Sequence, residues 1–296
     1  MRQTLRIMLV SLGSLAAAGV LAFVAGGFYD ITAIKQHPAW VFHAIGIGRD
    51  TLVALQADAD EVPEDFAPVA DARNVALYRK HCTQCHGAPG VAPEEFALGM
   101  MPVPSNLVAA GRERPPEEIY WFIRYGLKMS GMPAWSMRMS EADMWRITAL
   151  VEAFPTLSPE AYAELVEAGP QQLDSMTSVA EAGPFTPFGN PERGRKAMQV
   201  HACPQCHMIE GIVGRSDLHV GPPLDDAGAR KYIAGVVPNT PENMIRWIMH
   251  PQEVDPLSAM PDLGVSEGIA RDMAAYLYAI AGTGHASVGA APVDPR

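Results

Sequence analysis

Cysteine is scarce in this chain. Its 296 residues hold four, at positions 82, 85, 203 and 206, and two short motifs use all of them. Pairs set this close cannot staple a large domain, and no spare thiol remains, which excludes a disulfide framework. Positive charge is also in short supply: 22 Lys and Arg stand against 33 Asp and Glu, a net charge of −11. No basic patch stands out, so nucleic acid is excluded as a partner. Segments of strand period are missing from both halves, which leaves an all-α class.

One long hydrophobic run is present. The 23 residues from Ile7 to Tyr29 carry no charge, and as a helix such a run spans about 34 Å, enough for the hydrocarbon core. Arg2 and Arg6 precede it and Asp30 follows it, so the positive-inside tendency keeps the N-terminus in the cytoplasm and exports the rest. A cleaved signal peptide is the competing reading. Its apolar region usually covers only about 7–15 residues, and Ala25 and Gly26 offer a poor cleavage site. Residues 1–29 are therefore expected to be a single-pass anchor (or an uncleaved signal) in a bacterial cytoplasmic membrane, with the remainder on the periplasmic side.

The negative charge is unevenly placed. Residues 58–68 and residues 158–189 each hold five acids and no base. Stretches of that kind read as solvated, self-repelling connectors. Between the anchor and the first of them, Pro38 to Leu55 is largely apolar. Two readings fit it: a short helix at the membrane surface with Trp40 at headgroup level, or a segment packed on the rest of the chain or on a partner subunit.

The cysteines sit in two copies of one pattern. Cys82-Thr83-Gln84-Cys85-His86 and Cys203-Pro204-Gln205-Cys206-His207 both spell C-x-x-C-H, the attachment signature for c-type haem. Two thiols add to the two vinyl groups of one porphyrin, and the adjacent His supplies the proximal iron ligand. A zinc ribbon would want its two C-x-x-C pairs about 15–20 residues apart, whereas more than a hundred residues separate these. A thioredoxin-like dithiol has no need of a His after the second Cys, let alone twice. Two covalently bound haem c groups are the expectation.

The surroundings repeat as well. Each copy reads as a helix leading into the motif, a Pro-rich loop, a second helix, a Met-Pro loop and a closing helix. The leading helices are Asp71–His81 and Glu192–His201; the closing ones are Ser140–Phe154, with Ser140 as N-cap and Met144, Ile147, Val151 and Phe154 as its apolar stripe, and Ser266–Ala281. The division is thus 30–70, apolar segment and acidic linker; 71–157, first unit; 158–189, acidic Pro/Gly linker that opens with a short helix over Pro159–Ala168; 190–283, second unit; and 284–296, a small-residue tail expected to be disordered.

The iron needs a ligand opposite the proximal His. Ser130-Gly131-Met132-Pro133 and Ser258-Ala259-Met260-Pro261 both stand just before the closing helix. A thioether there gives His/Met ligation, which raises the reduction potential. The chain has 16 Met, and a lone Met is more often core filler than ligand; the repeated S-x-M-P setting is what selects Met132 and Met260. His219 and His250 are the runners-up in the second unit.

On these residues the chain resembles the class I c-type cytochromes, twice over, across 71–157 and 190–283. In the second unit Gly194, the haem motif, Gly221-Pro222, Leu224, Trp247, Ala259-Met260-Pro261 and Asp272-Met273-Ala274-Ala275-Tyr276-Leu277 fall in family order. The resemblance implies that the Pro222 carbonyl accepts a hydrogen bond from His207 and that Trp247 lies by a haem propionate. In the first unit Pro104 is taken to match Pro222, Trp121 or Phe122 to match Trp247, and Asn74 stands where the family has Gly at the crossing of first and last helices. The Gly131–Trp135 run is similar to haem domains in subunits of bacterial terminal oxidases and dehydrogenase complexes. The expected whole is a membrane-anchored dihaem cytochrome c of a respiratory chain, not an enzyme. His86 and Met132 would hold one iron, and His207 and Met260 the other. Its partners would be redox proteins: a membrane quinol-oxidising complex, a terminal oxidase or a periplasmic dehydrogenase. A fixed subunit of such a complex is the alternative, and a dihaem peroxidase-like enzyme would require an open iron.

Overall fold

The computed structural model describes residues 2–169, 189–214 and 220–281. His219, the greater part of the second acidic connector and the tail lie outside the described residues. The uncharged run folds as helix α1 (Arg2–Ala25), and its residues 6–25 have the length and composition of a membrane span. The helix stops at the Gly26-Gly27 pair, where Gly27 takes φ +69°. The apolar segment is helix α2 (Ala39–Gln56), opening after Pro38. Gly46 and Gly48 do not interrupt it, although each costs about 1 kcal/mol of propensity. Packing offsets that cost: Val53 is buried, and Asp50 pairs with Arg114 at 2.6 Å.

The first core is helical throughout. It comprises α3 (Ala72–His81), α4 (Thr83–His86), α5 (Glu95–Leu98), α6 (Leu107–Glu113), α7 (Pro116–Tyr125), α8 (Glu141–Ala153) and α9 (Pro159–Ala168). Side chains cap the helix starts: Asp71 accepts from Asn74 N, Ser140 from Asp143 N and Ser158 from Ala161 N. Met144, Ile147, Val151 and Phe154, the expected stripe of the closing helix, are buried together with Val75, Leu77 and Tyr78. Tyr120 stacks on Trp145 with ring centroids 3.9 Å apart.

Two connectors differ from the sequence expectation. Val62, Phe66 and Ala70, inside the acidic stretch before the first unit, pack on the first core. Phe66 meets Trp145 edge-on at 5.5 Å, and Glu61 faces Arg124 at 3.4 Å. Helix α9 joins the same core through Tyr162, Leu165 and Val166. The charge count hid these apolar positions, of which only Tyr162, Leu165 and Val166 lie on a helix and recur at its spacing, so the first unit extends on both sides of 71–157.

The second core gathers α10 (Pro191–Val200), α11 (Pro241–Met249), α12 (Pro251–Val254) and α13 (Glu267–Ala281). It also carries a small antiparallel hairpin, β1 (Tyr232–Ile233) with β2 (Val237–Pro238), that strand periodicity was too short to reveal. Helices α10 and α13 cross closely at Gly194, where an added Cβ would sit 2.0 Å from Asp272 O. Asp272 is buried there; it accepts from Asn190 N at 2.7 Å and pairs with Arg193. The matching crossing in the first unit holds Asn74, buried and donating to Val69 O at 3.2 Å, and α3 and α8 meet there less intimately than α10 and α13.

Gly194→Ala should therefore destabilise the second unit. The backbone clash costs about 1–3 kcal/mol, more than the helix propensity of about 1 kcal/mol it gains. A lower denaturant midpoint checks this; an unchanged or higher midpoint would show that the crossing is slack.

Candidate haem sites

Each C-x-x-C-H run closes as one tight turn. Cys85 N and His86 N both donate to Cys82 O, at 3.1 and 3.0 Å, and Cys206 N and His207 N both donate to Cys203 O, at 3.2 and 3.0 Å. The two motifs thus share a local geometry although their flanking residues differ. The thiols are free and unsuited to dithiol exchange. Burial pushes Cys82 up to about 12 and Cys203 up to about 11, whereas exchange needs a lowered, accessible thiolate. Among the described residues, no three His, Cys, Asp or Glu side chains converge as a bare metal site.

A backbone carbonyl orients each histidine. His86 Nδ1 donates to Ser105 O at 2.8 Å, and His207 Nδ1 donates to Pro222 O at 2.7 Å. A carbonyl only accepts, so Nδ1 carries the proton and Nε2 keeps a lone pair for iron. Burial also lowers the His86 pKa, against the opposing bond to Ser105, which favours the neutral ring a ligand needs. The acceptor in the first unit is Ser105, not Pro104 as the sequence suggested. Register there is set by Asn106, which caps α6 by accepting from Val108 N at 2.9 Å, and not by the choice among neighbouring prolines. In the second unit Gly221 lies against the ligand itself. A Cβ at Gly221 would sit 2.4 Å from His207 Cε1 and 2.7 Å from Nδ1.

The two S-x-M-P runs also fold alike. Met132 N donates to Ser130 Oγ at 3.1 Å, and Met260 N donates to Ser258 Oγ at 3.2 Å. Both methionines are half-buried, and Met132 packs on the core that contains Cys82. Different residues brace the two loops. Met132 O accepts from Leu127 N at 3.1 Å, beside Gly126, where φ is +64° and a Cβ would lie 2.7 Å from that same oxygen. Met260 O accepts from the Gln252 side chain, which also donates to Ser258 O. Sequence reasoning missed Gln252 altogether; Gly126 carried the signal of a glycine just past a helix end. Trp247, half-buried on α11, packs against the second core with Cys203. Trp121 sits on α7 beside Phe122, ring centroids 5.6 Å apart. The runner-up His250 faces Asp262 at 3.1 Å in a largely exposed pair.

These residues fit a covalently held haem: a turn presenting two thiols and a His, a ring fixed through Nδ1 and, in the second unit, a glycine tight against that ring. The comparisons with known proteins agree for the first unit. Residues 70–151 match the family model described as cytochrome C oxidase, cbb3-type, subunit III, and this part of the chain is a class I c-type cytochrome domain, which implies covalent haem c. A cytochrome c oxidase subunit 2 from Alkalihalophilus pseudofirmus is 32% identical over 89 residues, which is 30% of this chain and 25% of that subunit. The chain thus spans about a quarter of the length of that relative. Among solved structures, a chain of a Kuenenia stuttgartiensis reducing HAO-like protein complex aligns over 74% of this chain and 99% of its own, at 20% identity and a TM-score of 0.27, too loose to carry an argument about fold.

Gly221→Ala should displace the His207 ring and weaken its bond to Pro222. The expected outcome is less low-spin haem per chain with helix content unchanged; an unaltered absorption spectrum would show that the loop absorbs the methyl. A second expectation concerns His81, which directly precedes Cys82. Its Nε2 is buried without a hydrogen-bond partner, its ring lies 5.0 Å from Trp135, and burial lowers its pKa to about 4 from 6.5. Between those values the unfolded chain binds a proton that the folded one refuses, so stability falls with pH across that window and levels off below it. His81→Asn should flatten this part of the stability–pH curve, read by denaturant unfolding; an unchanged slope would mean that His81 titrates normally.

Proposed function

We propose that the chain is a membrane-anchored dihaem cytochrome c that relays single electrons in a bacterial respiratory chain, with His86 and Met132 ligating one iron and His207 and Met260 the other. The observation that carries this is the doubled site: the same C-x-x-C-H turn, the same carbonyl on Nδ1 and the same Ser-to-Met backbone bond occur in both halves. Haem c, when bound, supplies a one-electron couple that needs no bond making at a substrate. The protein's part is to hold. The Ser105 and Pro222 carbonyls set the tautomer and make each His more electron-rich, and the braced Met loops offer a thioether. The buried apolar cores, aromatic-rich in the first unit and mainly aliphatic in the second, keep water away, which with a neutral Met favours the reduced state.

The chain would run from a cytoplasmic N-terminus through α1 to haem-bearing units on the periplasmic side. Holding the carrier at the membrane raises its effective concentration for integral-membrane donors and acceptors. A second reading, a fixed subunit of an oxidase or dehydrogenase complex, is favoured by α2, which leaves Trp40, Phe42, Ile45, Ile47, Leu52 and Leu55 exposed. Detergent purification with a stoichiometric partner would select it over the free carrier.

Haem stoichiometry by alkaline pyridine assay, with the ferric methionine-to-iron charge-transfer band quantified per haem, tests the main reading. Two haems with full band intensity are expected. Met132→Ala and Met260→Ala should each remove half the band and lower one of two reduction potentials. One haem per chain, or a high-spin iron in the unmodified protein, would overturn the dihaem carrier and reopen a catalytic, peroxidase-like role.

A further inference from the structure

The loop that carries Met132 does not end in its own unit. Beyond Pro133 it turns at Trp135, where Arg138 N and Met139 N both donate to Trp135 O. Two side chains then reach the other half of the chain. Met137 packs against the second core, and Arg138 Nη2 donates to Val200 O at 2.8 Å. Val200 is the last residue of α10, three positions before Cys203, and α10 has no basic residue in its last turn. A helix C-terminus leaves carbonyls without intrahelical donors and carries partial negative charge, so it favours a cation. The first unit supplies that cation. The adjacent His201 is buried and donates through Nδ1 to Ala197 O at 2.9 Å. Its pKa is lowered first by burial and then, less, by the Arg138 charge. The same loop touches the other motif too, since Trp135 packs on His81, the residue before Cys82. A short series of contacts therefore joins the approach to the first haem motif with the approach to the second.

Resting on the dihaem reading, we propose that Arg138 is a cross-unit positioning residue. It docks the Met132 loop onto the helix that leads into the second haem-attachment turn and holds a positive charge there. Two consequences follow. The two units keep a fixed relation, against the default of independent motion for tandem domains. The charge disfavours the ferric state at the second site and so raises its reduction potential relative to a chain without it.

The test uses the full haem-loaded chain in detergent and compares the unmodified protein with Arg138→Ala, Arg138→Lys and Met137→Asp. Hydrogen exchange reports docking. Arg138→Ala and Met137→Asp should speed exchange at the C-terminal turn of α10 by about fivefold, the size expected for losing a charge-capped contact. Potentiometric titration reports the charge, with the two potentials assigned through the Met132 and Met260 variants. Arg138→Ala should lower the second potential and leave the first in place, and Arg138→Lys should restore it. Unchanged exchange and unchanged potentials in Arg138→Ala would overturn the proposal, as would an equal shift at both sites. Haem stoichiometry separates this from the function itself. A chain with one haem would sink the dihaem reading while the exchange arm still decides the docking; two haems with no exchange change would sink the docking alone.

Discussion

The bond from a histidine ring to a backbone carbonyl is the constraint around which both units are built. A C-x-x-C-H turn brings two thiols and an imidazole to one place, but the ring can still rotate and choose its tautomer. Only a second segment, returning from later in the chain, can stop that. In the first unit the return is 19 residues on, at Ser105, and in the second 15 residues on, at Pro222. The loop must approach close enough for its carbonyl to touch the ring, which is why Gly221 sits where no Cβ fits. The loop is in turn held by the helices it joins, so the packed cores and the histidine geometry are one mechanical system.

The two units solve this problem with different parts. In the first, Tyr78 on the leading helix donates to Gly87 O at 2.7 Å, just past the haem motif. In the second, Tyr276 on the closing helix donates to Glu210 O, past the second motif. A buried phenol ties down the chain after each attachment turn, yet it comes from opposite ends of the repeat. The helix crossing is divided in the same way. Gly194 lets α10 and α13 touch backbone to backbone, with Asp272 binding Asn190 and Arg193 beside them. At Asn74 the first pair of helices meets less closely, and α9, packed beside α3, adds Tyr162 to the same core. A unit of this size is marginal on its own core, so space lost at one contact has to be recovered at another.

What was legible in the sequence was local. The C-x-x-C-H spacing, the Ser140 cap, the stripe from Met144 to Phe154 and the repeated Met-Pro loops depend on residues a few positions apart, and spacing reports them directly. The residues that brace the site act across longer separations. Ser105 displaced Pro104 because the register of that loop is set by a helix cap, not by proline. Gln252 reaches over six and eight residues to the Met260 loop with no pattern to announce it. Charge counting misread the residues before Asp71 and the start of the later linker. An acidic segment is solvated only if its apolar residues have nothing to cover, and Phe66 and Tyr162 each had a core within reach. Arg138 could not be read at all, since its partner is a carbonyl, which every residue has.

These longer contacts change the mechanical picture of the chain. Asp50 and Val53 fix α2 to the first unit, with Arg114 shared between Asp50 and Glu118 at 2.6 and 2.7 Å. Surface pairs of this kind contribute only about 0–1 kcal/mol each, but Arg114 is largely buried and also lies 5.1 Å over the Phe122 ring, so the pair is part of a packed contact. The segment 59–70 lies along the same core, which leaves no free acidic tether between α2 and the first unit. Val62 and Phe66 hold that segment to the core, so α2 and the first unit would move together about residues 26–38, which join α1 to α2. In the proposed membrane-bound carrier, α2 and the first unit would then meet a redox partner as one body, held near it by α1. In the alternative of a fixed complex, the apolar face that α2 leaves exposed would be the one a neighbouring subunit covers, and the first unit would be carried with it.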